Sequence, residues 1–141
     1  MYSPHVYGPA VFDQDYFEAK NFPRNLPAVW GSHFLVAKQT GQPIVIGELG
    51  GTYTGKDKTW QDWAIPFAAS QKVGVFYFSL NPDSADTGGI LQDDWTTPEA
   101  GKLALLARLP ATRVFDLVER VYDPPPPPPR PPPSPPPPPP P

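Results

Sequence analysis

The sequence contains no cysteine, which removes disulfide frameworks, thiolate metal sites and cysteine nucleophiles from consideration. It also lacks a long apolar run. No stretch reaches the roughly 18 to 20 residues that span a bilayer, so no membrane partner is expected. An excess of charge of one sign is missing too: 11 Lys and Arg stand against 14 Asp and Glu, a formal net charge of −3. The two signs are mixed along the chain, which leaves no basic footprint for nucleic acid. The start, Met1-Tyr2-Ser3-Pro4-His5, has neither the basic residues nor the apolar core of about 7 to 15 residues that make a secretory signal. No signal peptide is therefore expected in this chain: either the protein is intracellular, or the start is not the native one.

Proline, by contrast, is abundant. Of 25 prolines, 16 fall within residues 124–141, where Arg130 and Ser134 are the only other residues. The foldable part is therefore residues 1–123, enough for one compact domain. With the tail set aside its apolar fraction is about 45%, near the globular norm. The tail itself is expected to be disordered or polyproline II, which rises about 3.1 Å per residue and would reach on the order of 55 Å.

Within the foldable part three β-like runs stand out, at 2–7, 43–49 and 73–80. The last two are nearly continuous apolar stretches, the pattern of parallel strands buried on both faces. Between the first two, Leu26, Trp30, Phe34 and Ala37 recur at helical spacing, with Pro27 at the start and Gly41 then Pro43 at the stop, predicting a helix over 26–40. Between the second and third, Trp60, Trp63, Ala64, Phe67 and Ala68 share one side of a helix over 57–72. Pro66 interrupts it, at about 3 kcal/mol in a helix interior, which predicts a kink or a late start. Thr97-Pro98-Glu99 reads as an N-cap, a first-turn proline and a dipole-favoured acid opening a helix to Leu109. A further helical pattern with Val114, Leu117, Val118 and Val121 covers 111–122. Alternation of strand and helix predicts an α/β fold with a parallel sheet and right-handed crossovers. Trp30, Trp60 and Trp63 are assigned to packing by their spacing, and His33 to a structural place beside Phe34.

Ligands of parallel α/β folds gather at the carboxyl ends of the strands. Glu48 is the sharpest candidate there, since it follows the apolar run Pro43-Ile44-Val45-Ile46-Gly47 and precedes Leu49-Gly50-Gly51. A carboxylate in such a place needs a partner; function and a structural salt bridge explain it equally well. His5 and Tyr7, two residues apart, share one face of a strand. They could meet a carboxylate and a polar substrate, or simply be packed. The Asp and Asn residues of 81–89 miss the alternate-residue pattern of calcium loops, so a turn-rich loop and no metal site is expected.

Three motifs, His5-Val6-Tyr7, Ile46-Gly47-Glu48-Leu49-Gly50-Gly51 and the stretch from Ser79-Leu80-Asn81-Pro82 to Asp93-Asp94-Trp95, agree in order and spacing with one family. Together they resemble the last three strands and loops of glycoside hydrolase family five endoglucanases. Asn21-Phe22-Pro23-Arg24-Asn25-Leu26-Pro27 is similar to the connecting segment of the same family, and the likeness runs from about residue 2 to 109.

The resemblance implies a partial β/α (TIM) barrel made of the last three strand–helix units over 1–110; the terminal helix over 111–123 and the proline-rich linker or tail over 124–141 lie outside it. It implies a retaining β-1,4-glucanase with Glu48 as nucleophile, no cofactor and a β-1,4-glucan substrate. His5 and Tyr7 would contact the sugar and the nucleophile, and a hydroxyl from Tyr7 would orient Glu48. Phe78 stands where the family usually carries a sugar-stacking tryptophan, offering a smaller aromatic face without an N–H donor; Trp95 could add stacking area. A retaining mechanism needs a second carboxyl about 5 to 5.5 Å from the first. In the family that group lies on the fourth strand, and a full barrel takes roughly 250 residues. The chain accordingly reads as a C-terminal fragment or a truncated gene model, inactive by itself.

An extracellular or cell-wall setting follows from the resemblance, with the tail joining a further module or the wall. Two other readings are a non-catalytic glucan-binding or wall-associated protein, and an intracellular scaffold whose Pro-Pro-Arg-Pro-Pro-Pro strip docks an SH3-type groove.

Overall fold

The computed structural model describes residues 1–111, which form one compact unit. The expected helix over 111–122 and the proline-rich tail lie outside the described residues, apart from Ala111. Five regular elements follow in order: α1 (Leu26–His33), β1 (Val45–Leu49), α2 (Gly55–Ser70), β2 (Gly74–Tyr77) and α3 (Ala100–Leu106). Short 3-10 turns occupy Asp15–Phe17 and Leu35–Thr40.

β1 and β2 pair in parallel, with Val45 opposite Gly74, Ile46 opposite Val75 and Leu49 opposite Tyr77, and a register irregularity between Ile46 and Leu49. The run at 2–7 lies on the other side of β1, also parallel, through bridges from Tyr2 to Ile44 and from His5 to Glu48. It is not a continuous strand as the sequence suggested. Tyr2, Pro4 and Val6 carry its hydrogen bonds to the 43–48 segment, and Pro4, which has no N–H, can only accept. The parallel order is thus first run, β1, β2, with α1 and α2 as the crossovers, as expected of an α/β fold.

The helices depart from expectation in three ways. The pattern over 26–40 splits at Phe34 into α1 and a 3-10 turn, closed by Gly41 at a left-handed φ of 72°. α2 starts early, at Gly55, and runs through Pro66 to Ser70. Pro66 is exposed, so the carbonyl of Asp62 that it leaves without a donor can be hydrated. α3 begins at Ala100 with Glu99 as N-cap, not at Thr97. Asp94 has captured that threonine: its carboxylate accepts the Thr97 hydroxyl, the Thr97 N–H at 2.7 Å and the Thr96 N–H at 2.9 Å. A local Asx turn here outcompetes the helix cap.

Phe17, Leu26, Trp30, Ile46, Leu49, Trp60, Ile65 and Leu105 form the centre of the core. Trp30 meets Trp60 edge-on at 6.4 Å and Phe67 at 4.8 Å. Trp63 is 37% exposed and sits at the surface, not in the packing stripe assigned to it, because the buried stripe of α2 runs through residues 57, 60, 61, 64, 65 and 68.

Candidate active site

Glu48 is the penultimate residue of β1. Parallel pairing on both sides fixes its backbone, since Val6 N–H donates to the Glu48 carbonyl at 2.9 Å and Phe78 N–H donates to the Leu49 carbonyl at 2.8 Å. The carboxylate stands one-third exposed, and the Tyr7 hydroxyl donates to Oε2 at 2.6 Å. His5 Nδ1 lies 3.3 Å from the same oxygen. Among the described residues no hydrogen bond reaches Oε1. Both side-chain contacts of the carboxylate are thus made through Oε2.

Burial pushes the Tyr7 phenol well above its ordinary range, and the hydrogen bond to Glu48, the charge of Glu48 and that of Asp86 push the same way. The phenol stays protonated across the neutral range and remains a donor.

Phe78 follows the end of β2 and is 39% exposed. Its backbone is pressed against Gly50: a side chain on Gly50 would overlap the Phe78 carbonyl oxygen. This close approach seats Phe78 beside the strand that carries Glu48. The Phe78–Ser79 peptide bond is cis. Trp95 is 52% exposed at a tight turn closed by its N–H to the Gln92 carbonyl, at 2.8 Å. No hydrogen bond or ring contact links Trp95 to His5, Tyr7 or Glu48 among the described residues. The structure thus brings His5, Tyr7, Glu48 and Phe78 to one end of the sheet and leaves Trp95 on the loop after β2. A cavity of about 660 Å³ lies between the loops that follow β1 and β2, lined by Thr52, Thr54, Ala85, Leu91, Glu99 and Lys102 among others. Glu48 does not line it.

Two buried charges escaped the sequence reading. Asp57 is 3% exposed and Lys102 5%. Lys102 Nζ donates to the carbonyls of Thr87 at 2.9 Å and Gly89 at 3.0 Å, pinning the loop after β2. Burial holds its pKa below the usual lysine range, against the opposing charges of Glu99 and Asp57. A carboxylate on a predicted apolar helix face was the available signal for Asp57. For Lys102 there was none, because its partners are backbone carbonyls far along the chain.

An acid, a tyrosine and a histidine thus gather at the carboxyl end of a parallel strand in an α/β unit, and the comparisons identify its family. The model of the cellulase family, glycosyl hydrolase family 5, matches residues 1–84. The major extracellular endoglucanase of Xanthomonas campestris pv. campestris is 47% identical over 116 residues, covering 79% of this chain and 24% of that protein. An endoglucanase of Paenibacillus polymyxa is 40% identical over 113 residues, covering 77% of this chain and 28% of its own. Among solved structures, the catalytic domain of the Xanthomonas campestris enzyme matches with a TM-score of 0.71 at 47% identity, over 75% of this chain and 32% of that one. A cellotetraose complex of the endocellulase from Pyrococcus horikoshii matches with a TM-score of 0.72 at 50% identity, over 76% and 30%. The chain belongs to the cellulase family, glycosyl hydrolase family 5. It spans about a quarter of the length of the curated relatives it matches.

Proposed function

We propose that this chain is the C-terminal part of a retaining endo-β-1,4-glucanase, contributing the last three strand–helix units of a β/α barrel, and that Glu48 is the nucleophile. The observation that carries the reading is the 2.6 Å hydrogen bond from Tyr7 to Glu48 Oε2 at the carboxyl end of β1, in a chain of this family. A carboxylate held through one oxygen presents the other to an anomeric carbon. Oε1 forms the ester bond as the glycosidic bond breaks, and the leaving oxygen takes a proton from a second carboxyl. That second group deprotonates water in the next step, and the water hydrolyses the ester. The second carboxyl is to come from barrel strands outside this chain, so the isolated chain is inactive.

In this reading His5 contacts a sugar hydroxyl beside the nucleophile. Phe78 supplies an aromatic face to a glucose ring, and Trp95 extends it along the loop after β2. The substrate is cellulose or a related β-glucan, the setting is extracellular, and the proline-rich tail joins the barrel to a further module or to the wall. The exposed rings of Phe78 and Trp95 also favour a second reading, in which the chain binds glucan without cleaving it.

The experiment has two arms. The 141-residue chain alone is assayed on a chromogenic cellobioside, where no turnover is expected. It is then mixed with the complementary front part of a related barrel, where turnover is expected to appear and to vanish with Glu48→Gln. Turnover by the chain alone would overturn the assignment of the second carboxyl. A reconstituted barrel in which Glu48→Gln turns over as fast as the native chain would overturn Glu48 as nucleophile. Cellulose retention with no turnover in any mixture would favour the binding reading.

A further inference from the structure

One buried network touches the carboxyl ends of all three parallel segments. Its centre is Asp57, in the first turn of α2. Its Oδ2 accepts the Tyr53 N–H at 2.9 Å and the Gln61 Nε2 at 2.8 Å, and Gln61 Oε1 accepts the Tyr77 hydroxyl at 2.8 Å. Tyr53 lies just after β1 and Tyr77 ends β2. The third contact is steric. A Cβ on Gly8, the residue after Tyr7, would come within 2.5 Å of Asp57 Oδ1 and 2.7 Å of the Trp60 ring. A Cβ on Gly51, three residues after Glu48, would come within 2.5 Å of the same oxygen. Two backbones thus rest against one carboxyl group.

A helix cap does not account for this arrangement. An acid in this place ordinarily bonds the N–H of the capping residue, here Thr54, whereas Asp57 reaches past it to Tyr53. Packing does not account for it either, since burying a carboxyl group has a cost that an apolar side chain would avoid. Burial pushes the carboxyl's pKa up; the bonds from Gln61 and Tyr53, the charge of Lys102 and the Ala10 backbone amide work against that.

We propose that Asp57, held by Gln61, is a positioning residue: a spacer of fixed size between the chain after Tyr7 and the chain after Glu48 that sets the distance at which those two side chains meet. The inference rests on reading Tyr7 and Glu48 as the working pair.

The test follows Tyr7 itself and needs no turnover. Tyrosines of the whole chain are labelled at Cζ and titrated by NMR, with Tyr7→Phe giving the assignment. At about pH 11 an ordinary phenol is mostly ionised, while Tyr7 is expected to stay protonated. Asp57→Ala is expected to raise the acid dissociation constant of Tyr7 at least about tenfold, one decade of titration. Asp57→Asn, which keeps the size and an acceptor for Tyr53, is expected to leave Tyr7 protonated. Should Asp57→Ala lose its near-ultraviolet circular dichroism, Asp57→Ser carries the same expectation, since it keeps an acceptor but is too short to space the backbones.

Glu48→Gln separates the two readings. If it frees Tyr7 and the folded Asp57 variants do not, the spacer is overturned and the pair stands. If it leaves Tyr7 unmoved, the pair is overturned and the spacer with it. Asp57→Asn freeing Tyr7 as fully as Asp57→Ala, or loss of fold in both Asp57→Ala and Asp57→Ser, would also overturn the spacer, the last in favour of a purely structural role.

Discussion

Substituting Gly50 by alanine tests how the site is held together, because no other single methyl group would press so directly on the backbone beside Glu48. The added Cβ overlaps the carbonyl oxygen of Phe78, and a carbonyl cannot swing aside as a side chain can. One of the two backbones must move. Phe78 N–H donates to the Leu49 carbonyl at 2.8 Å, immediately before Gly50, so separating the chains there stretches or breaks that bond. Overpacking at a buried site costs about 1 to 3 kcal/mol, and a net backbone hydrogen bond contributes about 1 kcal/mol. Gly50→Ala should therefore destabilise the chain by about 2 to 4 kcal/mol, the sum of the two.

Equilibrium urea unfolding followed by circular dichroism measures it, with the shift in midpoint converted through an unchanged slope. Gly31→Ala is the control, since a Cβ on Gly31 meets nothing within 4 Å; in the middle of α1 it should be neutral or slightly stabilising, because alanine outranks glycine in helices. A loss below about 0.5 kcal/mol at Gly50, the scatter expected of surface substitutions, would refute the argument that β1 and β2 depend on this contact.

Three further outcomes are expected. Tyr7→Phe deletes a hydrogen bond to a charged group, worth about 1.5 to 3 kcal/mol, so in a reconstituted barrel turnover of the cellobioside should fall by roughly 10- to 100-fold while near-ultraviolet circular dichroism is unchanged. Asp94 is held down to about 2 by the Thr97 hydroxyl and then by the Thr97 and Thr96 backbone N–H groups. Its contribution is present above the ordinary 3.8 and lost as pH falls through about 2, so Asp94→Asn should flatten the acid limb of a stability profile between those values. Lys102 has a depressed pKa, so the folded chain binds fewer protons than the unfolded one between that value and 10.5; stability should rise with pH there. Lys102→Met removes this rise and leaves two carbonyls without their donor, which hydrogen exchange in the loop over 84–91 would report as faster opening.

The α/β alternation was legible because it is written in local energetics. Apolar runs of strand length and the helical spacing of large residues each act within a few residues, and they mark β1, β2, α1 and α2 in the structure, while Gly41 closes the 3-10 turn after α1. What was misread depends on competition between neighbours or across the fold. Thr97 had the chemistry of an N-cap, but Asp94, three residues back, offers its backbone and hydroxyl a tighter local turn. Pro66 has a cost in a helix interior that falls when the orphaned carbonyl faces water, and exposure is a tertiary property. Pro4 turned an expected strand into two bridges, because a residue without an N–H can accept in the ladder but never donate.

The site divides along the same line. Glu48 announced itself as a charge at the end of an apolar run, and the period of two residues was enough to put His5 and Tyr7 on one face. Their distances could not be read, since these depend on how closely the first run and β1 approach at their ends. That approach is set by residues with no catalytic look at all. Gly50 admits a carbonyl, Gly8 and Gly51 admit a carboxylate, and Asp57 arrives from the next helix to fill the gap. A glycine's role in such a place is the volume it leaves empty, and volume is visible only once the partner that fills it is known. Sequence motifs therefore locate the proposed nucleophile more readily than they locate the residues proposed to aim it.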